Sequence, residues 1–400
     1  MTTTTDEARV DALVDELLER CPAGTEPTKA WAEQFDLGLA WVHFPEGKGG
    51  LGLDVRLQDR IDQRLRAAGI PSNILVNMMG VGMAGPTLVA HGSEELQDDH
   101  LRNAFSCETI WCQMFSEPGA GSDLAALATR AVRDGDEWVV NGQKCWTTLA
   151  HVAEWGMVLT RTDPDVRKHE GLTFFVLRMD TPGVEVRPLR QLTGDAEFNE
   201  IFFTDVRIPD SQRIGGVGSG WKVALTTLMN ERVTVGAMGQ ERRGQGDIRH
   251  AVRLWHERGG GDAVQRDRLA QLWIEGEILR LLNIRAQEGR DRGTPGPEGA
   301  IAKLFVGEFQ QRLWTFVVDL LGPEGTLISD YEMRRPTQIA EDTLGNDDPD
   351  GQKAFLSVRG TTIGGGTTEI GRNILGERVL GLPGDVRVDK DLPWSQVPRS

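Results

Sequence analysis

The run Gln113-Met114-Phe115-Ser116-Glu117-Pro118-Gly119-Ala120-Gly121-Ser122-Asp123 is too rich in turn residues to continue a regular element. Its glycines let backbone amides approach a planar, hydrogen-bonding or phosphorylated group, and Ser116 and Ser122 add hydroxyl donors. That chemistry suits the edge of a flavin ring; alone, the run would read as a tight glycine turn with local caps. A second run, Asn141-Gly142-Gln143-Lys144-Cys145-Trp146-Thr147-Thr148, offers an indole. Offset stacking of such a ring on a large aromatic system adds roughly 1 kcal/mol beyond area burial. In a chain with eleven Trp it could equally be core. The third element is Glu231. At about 100° per residue, Ala224, Leu228 and Val235 fall within roughly 60° of it, so its carboxylate projects from an apolar helical stripe. Burial there would raise its pKa, as a base working near neutrality requires. A salt bridge to Arg232 or a solvated position are the other readings, and the first is weakened because neighbouring helical residues diverge.

These groups must be held by elements of three kinds in turn. To about Cys112 the pattern is helical, with Val10, Leu13, Val14, Leu17 and Leu18 at helical spacing and a glycine-rich break from Pro45 to Gly52. From about Gln113 to Pro209 it becomes β. Glu137 to Val140 runs into Asn141-Gly142, a strong hairpin signal, and Leu172 to Leu177, Val184 to Val186 and Glu200 to Phe203 follow, separated by turn residues. Helical spacing returns in Trp221 to Met238, Val264 to Gln287 and Gly299 to Leu321, with loops at Gly259 to Asp262 and Arg292 to Glu298, and the acidic, Pro/Gly-containing stretch at Asp342 to Gly351 is expected to be mobile. Helices, then strands, then helices is not a doubly wound nucleotide fold, and no Gly-x-Gly-x-x-Gly follows a strand.

In this order the motifs resemble the acyl-CoA dehydrogenase family, whose signature Ser/Thr-Glu-Pro-x-Ala-Gly-Ser-Asp precedes Asn-Gly-x-Lys-x-Trp. Ser116 to Asp123 and Asn141 to Trp146 carry both. The likeness extends over nearly the whole chain, through Pro45-Glu46-x-x-Gly49-Gly50-Leu51-Gly52, Gly218-x-Gly220-Trp221, Glu231-Arg232 and Gly364-Gly365-Gly366-Thr367-Thr368-Glu369-Ile370. The resemblance implies an α+β fold with an N-terminal α-helical domain (residues 1–112), a middle β domain (113–217) and a C-terminal four-helix bundle (218–400). It implies FAD as cofactor and α,β-dehydrogenation of an acyl-CoA thioester to the trans-2-enoyl-CoA, with electrons passing to an electron-transfer flavoprotein. Gln113, Phe115, Ser116, Gly121 and Ser122 would line the flavin, with Trp146, Thr147 and Thr148 on its other side. Ser122, Arg232 and Gly366 would meet the substrate. Gly322, Thr367 and Glu369 would reach the adenine half of a neighbour's FAD, which implies a tetramer, homomeric or built with a related chain.

Two departures from the family stand out. Many members carry their base in a Tyr-Glu-Gly-Thr motif, where this chain has Gly364-Gly365-Gly366-Thr367; the carboxylate is missing and Gly365 keeps only its N–H, the family's donor to the thioester carbonyl. Glu231 matches the position that holds the base in isovaleryl- and long-chain-type members. The family's Arg-x-x-Phe-Gly segment for the FAD pyrophosphate also has no counterpart between Trp255 and Arg266. A flavin monooxygenase or oxidase of the same fold, needing no α-proton base, and a non-catalytic subunit of a heteromeric dehydrogenase are the alternatives. A formal charge of -16 opposes nucleic-acid binding, and no apolar run approaches the roughly 20 residues of a membrane span. The four cysteines, Cys21, Cys107, Cys112 and Cys145, read as reduced packing residues, no metal cluster is evident, and without a leader pattern the expected location is cytoplasmic, in lipid metabolism.

Overall fold

Val10, Val14 and Leu17 recur every three or four residues and are all fully buried, which makes helix α1 (Thr4–Arg20) an amphipathic cover for its neighbours. The computed structural model describes residues 4–237, 243–292, 296–328, 330, 332–339, 350–384, 386 and 389–398, the side chains at 232–237, 290 and 291 excepted. Helices α2 (Pro27–Asp36) and α3 (Leu57–Ala67) follow, the latter burying Leu57, Ile61 and Leu65 against α1. A π-helical turn (Gly80–Ala84) runs into α4 (Gly85–His91), and α5 (Glu94–Phe105) is capped by Ser93, whose hydroxyl accepts from the Leu96 N–H.

The chain then turns to strands: β1 (Trp111–Met114), β2 (Arg130–Asp134), β3 (Glu137–Thr148), β4 (Trp155–Arg161), β5 (Leu172–Arg178), β6 (Val184–Pro188), β7 (Phe198–Pro209) and β8 (Arg213–Ile214). Among the described residues they form one sheet in the order β6-β7-β3-β2-β4-β5-β8, with β1 parallel to β4. One sheet face packs on α2, α4 and α5, where Trp111 and Trp155 enclose His100, and the other buries Trp138, Phe175 and Ile208.

Asn141-Gly142 is not a turn. The reversal between β2 and β3 falls at Gly135, and β3 runs straight through Asn141 and Gly142 for twelve residues. The register against β7 shifts between Val140 and Gly142, a bulge that drives this backbone onto Thr129. A Cβ at Gly142 would lie 2.4 Å from the Thr129 Oγ1, so glycine supplies room there, not a reversal.

Helix α6 (Gly220–Ala237) plants Val223 and Ala224 in the core shared by the first helices and the sheet. Helices α7 (Asp247–Glu257), α8 (Ala263–Asp291) and α9 (Glu298–Leu321) pack around Leu254, Leu272, Trp314 and Phe316, and the short α10 (Gly351–Ser357) and α11 (Thr368–Ile374) pack against α9. Residues 342–349 of the acidic stretch lie outside the described residues, while Asp350 caps α10 by accepting from the N–H groups of Gln352 and Lys353. Upstream, residues 332–339 form a strap across the sheet. The Arg334 backbone bonds Gly194 and Ala196, Arg335 donates to Asn199, and the Ile339 N–H donates to Leu75 O in the N-terminal helices. All four cysteines are free thiols.

Candidate active site

Strand β1 delivers Gln113 and Met114 to the edge of the glycine loop, which closes on itself through reciprocal backbone bonds of 3.0 Å between Glu117 and Ala120. What fixes it is a buried ion pair. Lys144, fully buried on β3, places its Nζ 2.8 Å from Glu117 Oε1 and 2.9 Å from Phe115 O. The Glu117 carboxylate also accepts from the N–H groups of Ala128 at 2.7 Å and Thr129 at 2.9 Å. Burial pushes the Glu117 carboxyl up, but Lys144 and these bonds outweigh it and hold it below the usual range. The Cys145 N–H donates to Ser116 O at 2.9 Å. The carboxylate of the first motif and the ammonium of the second are thus one clamp, a physical reason for their pairing that their separate motif roles conceal.

A second register shift in β3, between Lys144 and Thr147, lifts Trp146 to a φ of +59°. Its ring is 57% exposed, touching Phe198 edge-on at 5.9 Å, while Thr147 beside it is fully buried with no partner for its Oγ1 among the described residues. Ser122 is exposed, and a Cβ added at Gly119 or Gly121 would meet no atom within 4 Å. An exposed indole, an unsatisfied hydroxyl and an open glycine loop joined by one clamp fit a planar group with polar edges, as FAD requires. Phe115 departs from the expectation of a lining side chain: its ring turns into the core against Phe174, which leaves only its backbone for a ligand.

The second cluster lies on the helices. Glu231 is half-buried on α6, with Ala224 buried and Leu228 partly buried on the same stripe; the side chains of Val235 and Arg232 lie outside the described residues. A Cβ built at Gly365 would lie 3.6 Å from Glu231 Oε1 and 3.5 Å from Lys303 Cε. Two segments more than a hundred residues apart therefore bring the carboxylate of one to the point where the other lacks a side chain. Gly365 (φ +66°) and Gly366 (φ +97°) are both in the left-handed region, where a side chain costs about 1–2 kcal/mol. Lys303, on α9, donates to Thr361 O at 2.7 Å in the turn leading to these glycines. Nothing in the sequence pattern marks Lys303, which reads as one polar position on an amphipathic helix.

The other expected residues follow the glycines or lie at the far end of α9. Thr367 caps α11, its Oγ1 accepting from the Ile370 N–H at 3.2 Å, and Glu369 lies in the first turn. Gly322 ends α9 with a φ of +61°, about 28 Å along the helix from Lys303 at 1.5 Å per residue. Arg258, in the stretch lacking the expected Arg-x-x-Phe-Gly, pairs with Glu324 of that glycine loop. Among the described residues no group of three or more His, Cys, Asp or Glu could hold a metal, and no helix is long and apolar enough to cross a membrane.

Helical, β and helical regions, with a glycine loop, an exposed indole and a helix-borne carboxylate, match the architecture that comparison with known proteins finds. Family models described as the N-terminal, middle and C-terminal domains of acyl-CoA dehydrogenase match residues 7–108, 112–206 and 218–380. The chain is 36% identical to the acyl-CoA dehydrogenase IpdE1 of Mycobacterium tuberculosis over 364 residues, 90% of each chain. It is 38% identical to FadE34 of the same organism over 356 residues, 87% of this chain and 45% of that one. Among solved structures it is similar to the Tcur3481-Tcur3483 steroid acyl-CoA dehydrogenase, with a TM-score of 0.71 and 25% identity over 96% of this chain and 99% of that one. It is also similar to the ChsE4-ChsE5 complex of Mycobacterium tuberculosis, with a TM-score of 0.67 and 26% identity over the same shares. The chain belongs to the acyl-CoA dehydrogenase family of flavoprotein oxidoreductases.

Proposed function

We propose that this protein removes the α proton and the β hydride of an acyl-CoA thioester, giving the trans-2-enoyl-CoA, with Glu231 as the base. The observation that carries this is the approach of Glu231 Oε1 to within 3.6 Å of the side-chain position that Gly365 lacks. In this reading Glu231 takes the α proton, and the Gly365 N–H donates to the thioester carbonyl and stabilises negative charge developing on its oxygen. FAD, when bound, accepts the β hydrogen as hydride. Gln113, the Phe115 backbone, Ser116, Gly121 and Ser122 hold one side of the cofactor, and Trp146, Thr147 and Thr148 cover the other. Ser122, Arg232 and Gly366 orient the coenzyme A thioester.

Gly322, Thr367 and Glu369 serve the adenine half of a neighbour's FAD, and the place of Gly322 at the far end of α9 from Lys303 supports that division for the Gly322 loop. The protein acts in the cytoplasm as a tetramer, and the two similar solved structures, each named as a pair of chains, favour assembly with a related chain. We assign the flavin platform to residues 113–217, flanked by helical domains 1–112 and 218–400, and an electron-transfer flavoprotein as the acceptor. The acyl group is bulky and ring-bearing, a reading supported by one similar structure being named a steroid acyl-CoA dehydrogenase. Anaerobic addition of straight-chain, branched and steroid-derived acyl-CoAs to the FAD-loaded protein tests this. Bleaching of the flavin band by the steroid-derived thioester is expected; no bleaching by any of them, or rapid reoxidation of a reduced flavin by dioxygen, would sink the dehydrogenase reading.

A further inference from the structure

Lys303 sits where the two halves of the base site meet. Its Cε and Glu231 Oε1 lie 3.5 and 3.6 Å from one point, the Cβ position of Gly365, and its Nζ is held 2.7 Å from Thr361 O. The side chain is half-buried, so its charge is poorly screened; burial pushes the ammonium below its usual range, while the Glu231 charge pulls it back.

Among the described residues, the charges on elements packed against α6 are otherwise engaged. His91 of α4 bonds Thr226, and Arg161 of β4 donates to the carbonyls of Ala125 and Lys168. Arg178 of β5 pairs with Asp180. On α9, Glu298 pairs with Arg285, Glu308 with Arg372, Arg312 with Glu275 and Asp319 with Arg268. On α6 itself Lys222 lies more than two turns away from Glu231. Lys303 is the α9 cation on which the Glu231 charge acts.

We propose that Lys303 is a positioning residue for Glu231: bonded to Thr361, its ammonium ties the Gly364–Gly366 turn to the Glu231 carboxylate and keeps that carboxylate ionised and aimed at the substrate's α carbon. Members with their base on the turn itself have the carboxylate built into it; here the carboxylate comes from α6 and the turn must be registered against it from outside. The inference rests on Glu231 being the base.

The test is the pH dependence of flavin reduction in the FAD-loaded protein, with an infrared titration of the Glu231 carboxyl band, assigned by its loss in Glu231→Gln, as a readout independent of turnover. Losing a cation makes a nearby carboxylate easier to protonate, so the acid limb and the infrared midpoint should both move up by about 1 pH unit or more in Lys303→Gln and Lys303→Met. Lys303→Arg, which keeps the charge, should hold both near their parent values. A neutral variant that loses activity uniformly across pH with an unmoved infrared midpoint would overturn the proposal. So would neutral variants that both fail to fold beside a parent-like Lys303→Arg, since the role would then be structural. Glu231→Gln, measured alongside, separates the two readings: full activity there removes the base itself, whereas an inactive Glu231→Gln with unmoved limbs in the Lys303 variants removes only the role of Lys303.

Discussion

Lys144 and Glu117 illustrate how one residue pair serves a ligand it need not touch. With Lys144 fully buried, replacing it by Met leaves the Glu117 carboxylate in a dry interior without its cation, a loss that ordinarily costs about 3–5 kcal/mol. Lys144→Met should therefore lower the unfolding midpoint strongly and release FAD as the Ser116 loop loses its tie to β3; a thermal melt with flavin fluorescence checks both. Trp146→Ala should behave in the opposite way. Trp146 is 57% exposed and, among the described residues, rests on Phe198 alone as a ring contact, so the flavin-free protein should keep its stability to within about 1 kcal/mol while FAD affinity falls. An equal loss of flavin-free stability in both variants would contradict this division between clamp and platform. Trp146 stands out in the sequence by its motif; Lys303 does not, because its place beside Glu231 arises only from the approach of α6 and the Gly365 turn.

At the scale of elements, β3 is the strand that carries both Lys144 and Trp146, and it has two register shifts. Gly142→Ala pushes a Cβ to 2.4 Å from the Thr129 Oγ1 and should destabilise the protein by about 1–3 kcal/mol. Gly119→Ala, with nothing within 4 Å, should cost less than about 0.5 kcal/mol. Equilibrium denaturation of the pair distinguishes a crowded bulge from the open turn that Asn-Gly suggests. That dipeptide misleads because a bulge and a hairpin turn both favour glycine, for room in one case and for backbone conformation in the other. The long helices α6, α8 and α9 were readable to within a few residues from their apolar spacing, whereas α7 was missed. Strands β1 and β4 also escaped notice, since a strand buried on both faces, such as Met157 to Leu159, shows no alternation. The strap at residues 332–339 has no periodic signal either; it is held by backbone bonds to the sheet and to Leu75.

For the whole molecule, acid stability follows from desolvated imidazoles. His100, enclosed by Trp111 and Trp155, is buried and held below its usual value of 6.5 by that burial, and the half-buried His91 and His151 shift the same way. The unfolded chain then takes up protons near pH 6.5 that the folded chain refuses. Their contribution to stability is thus complete above that value and declines as pH falls below it, down to the folded pKa. Denaturant unfolding between pH 7 and 5.5 should show the decline, and His100→Phe should flatten part of it; an unchanged slope would contradict the assignment. On α8, Ile274, Ile278, Leu281 and Ile284 recur at three and four spacing yet stand 38–55% exposed in the single chain. Ile278→Asp should therefore shift light-scattering mass toward smaller species and release FAD together, as a cofactor site shared between chains requires.

The central claim is that Glu231 replaces the base that Gly365 lacks. Glu231→Gln keeps size and hydrogen bonding but removes the basic carboxylate, and stopped-flow flavin reduction by a competent acyl-CoA reads the consequence directly. General-base catalysis is worth roughly 100-fold or more, so the variant should retain FAD and reduce it at least that much more slowly. Reduction at the parent rate would contradict the account.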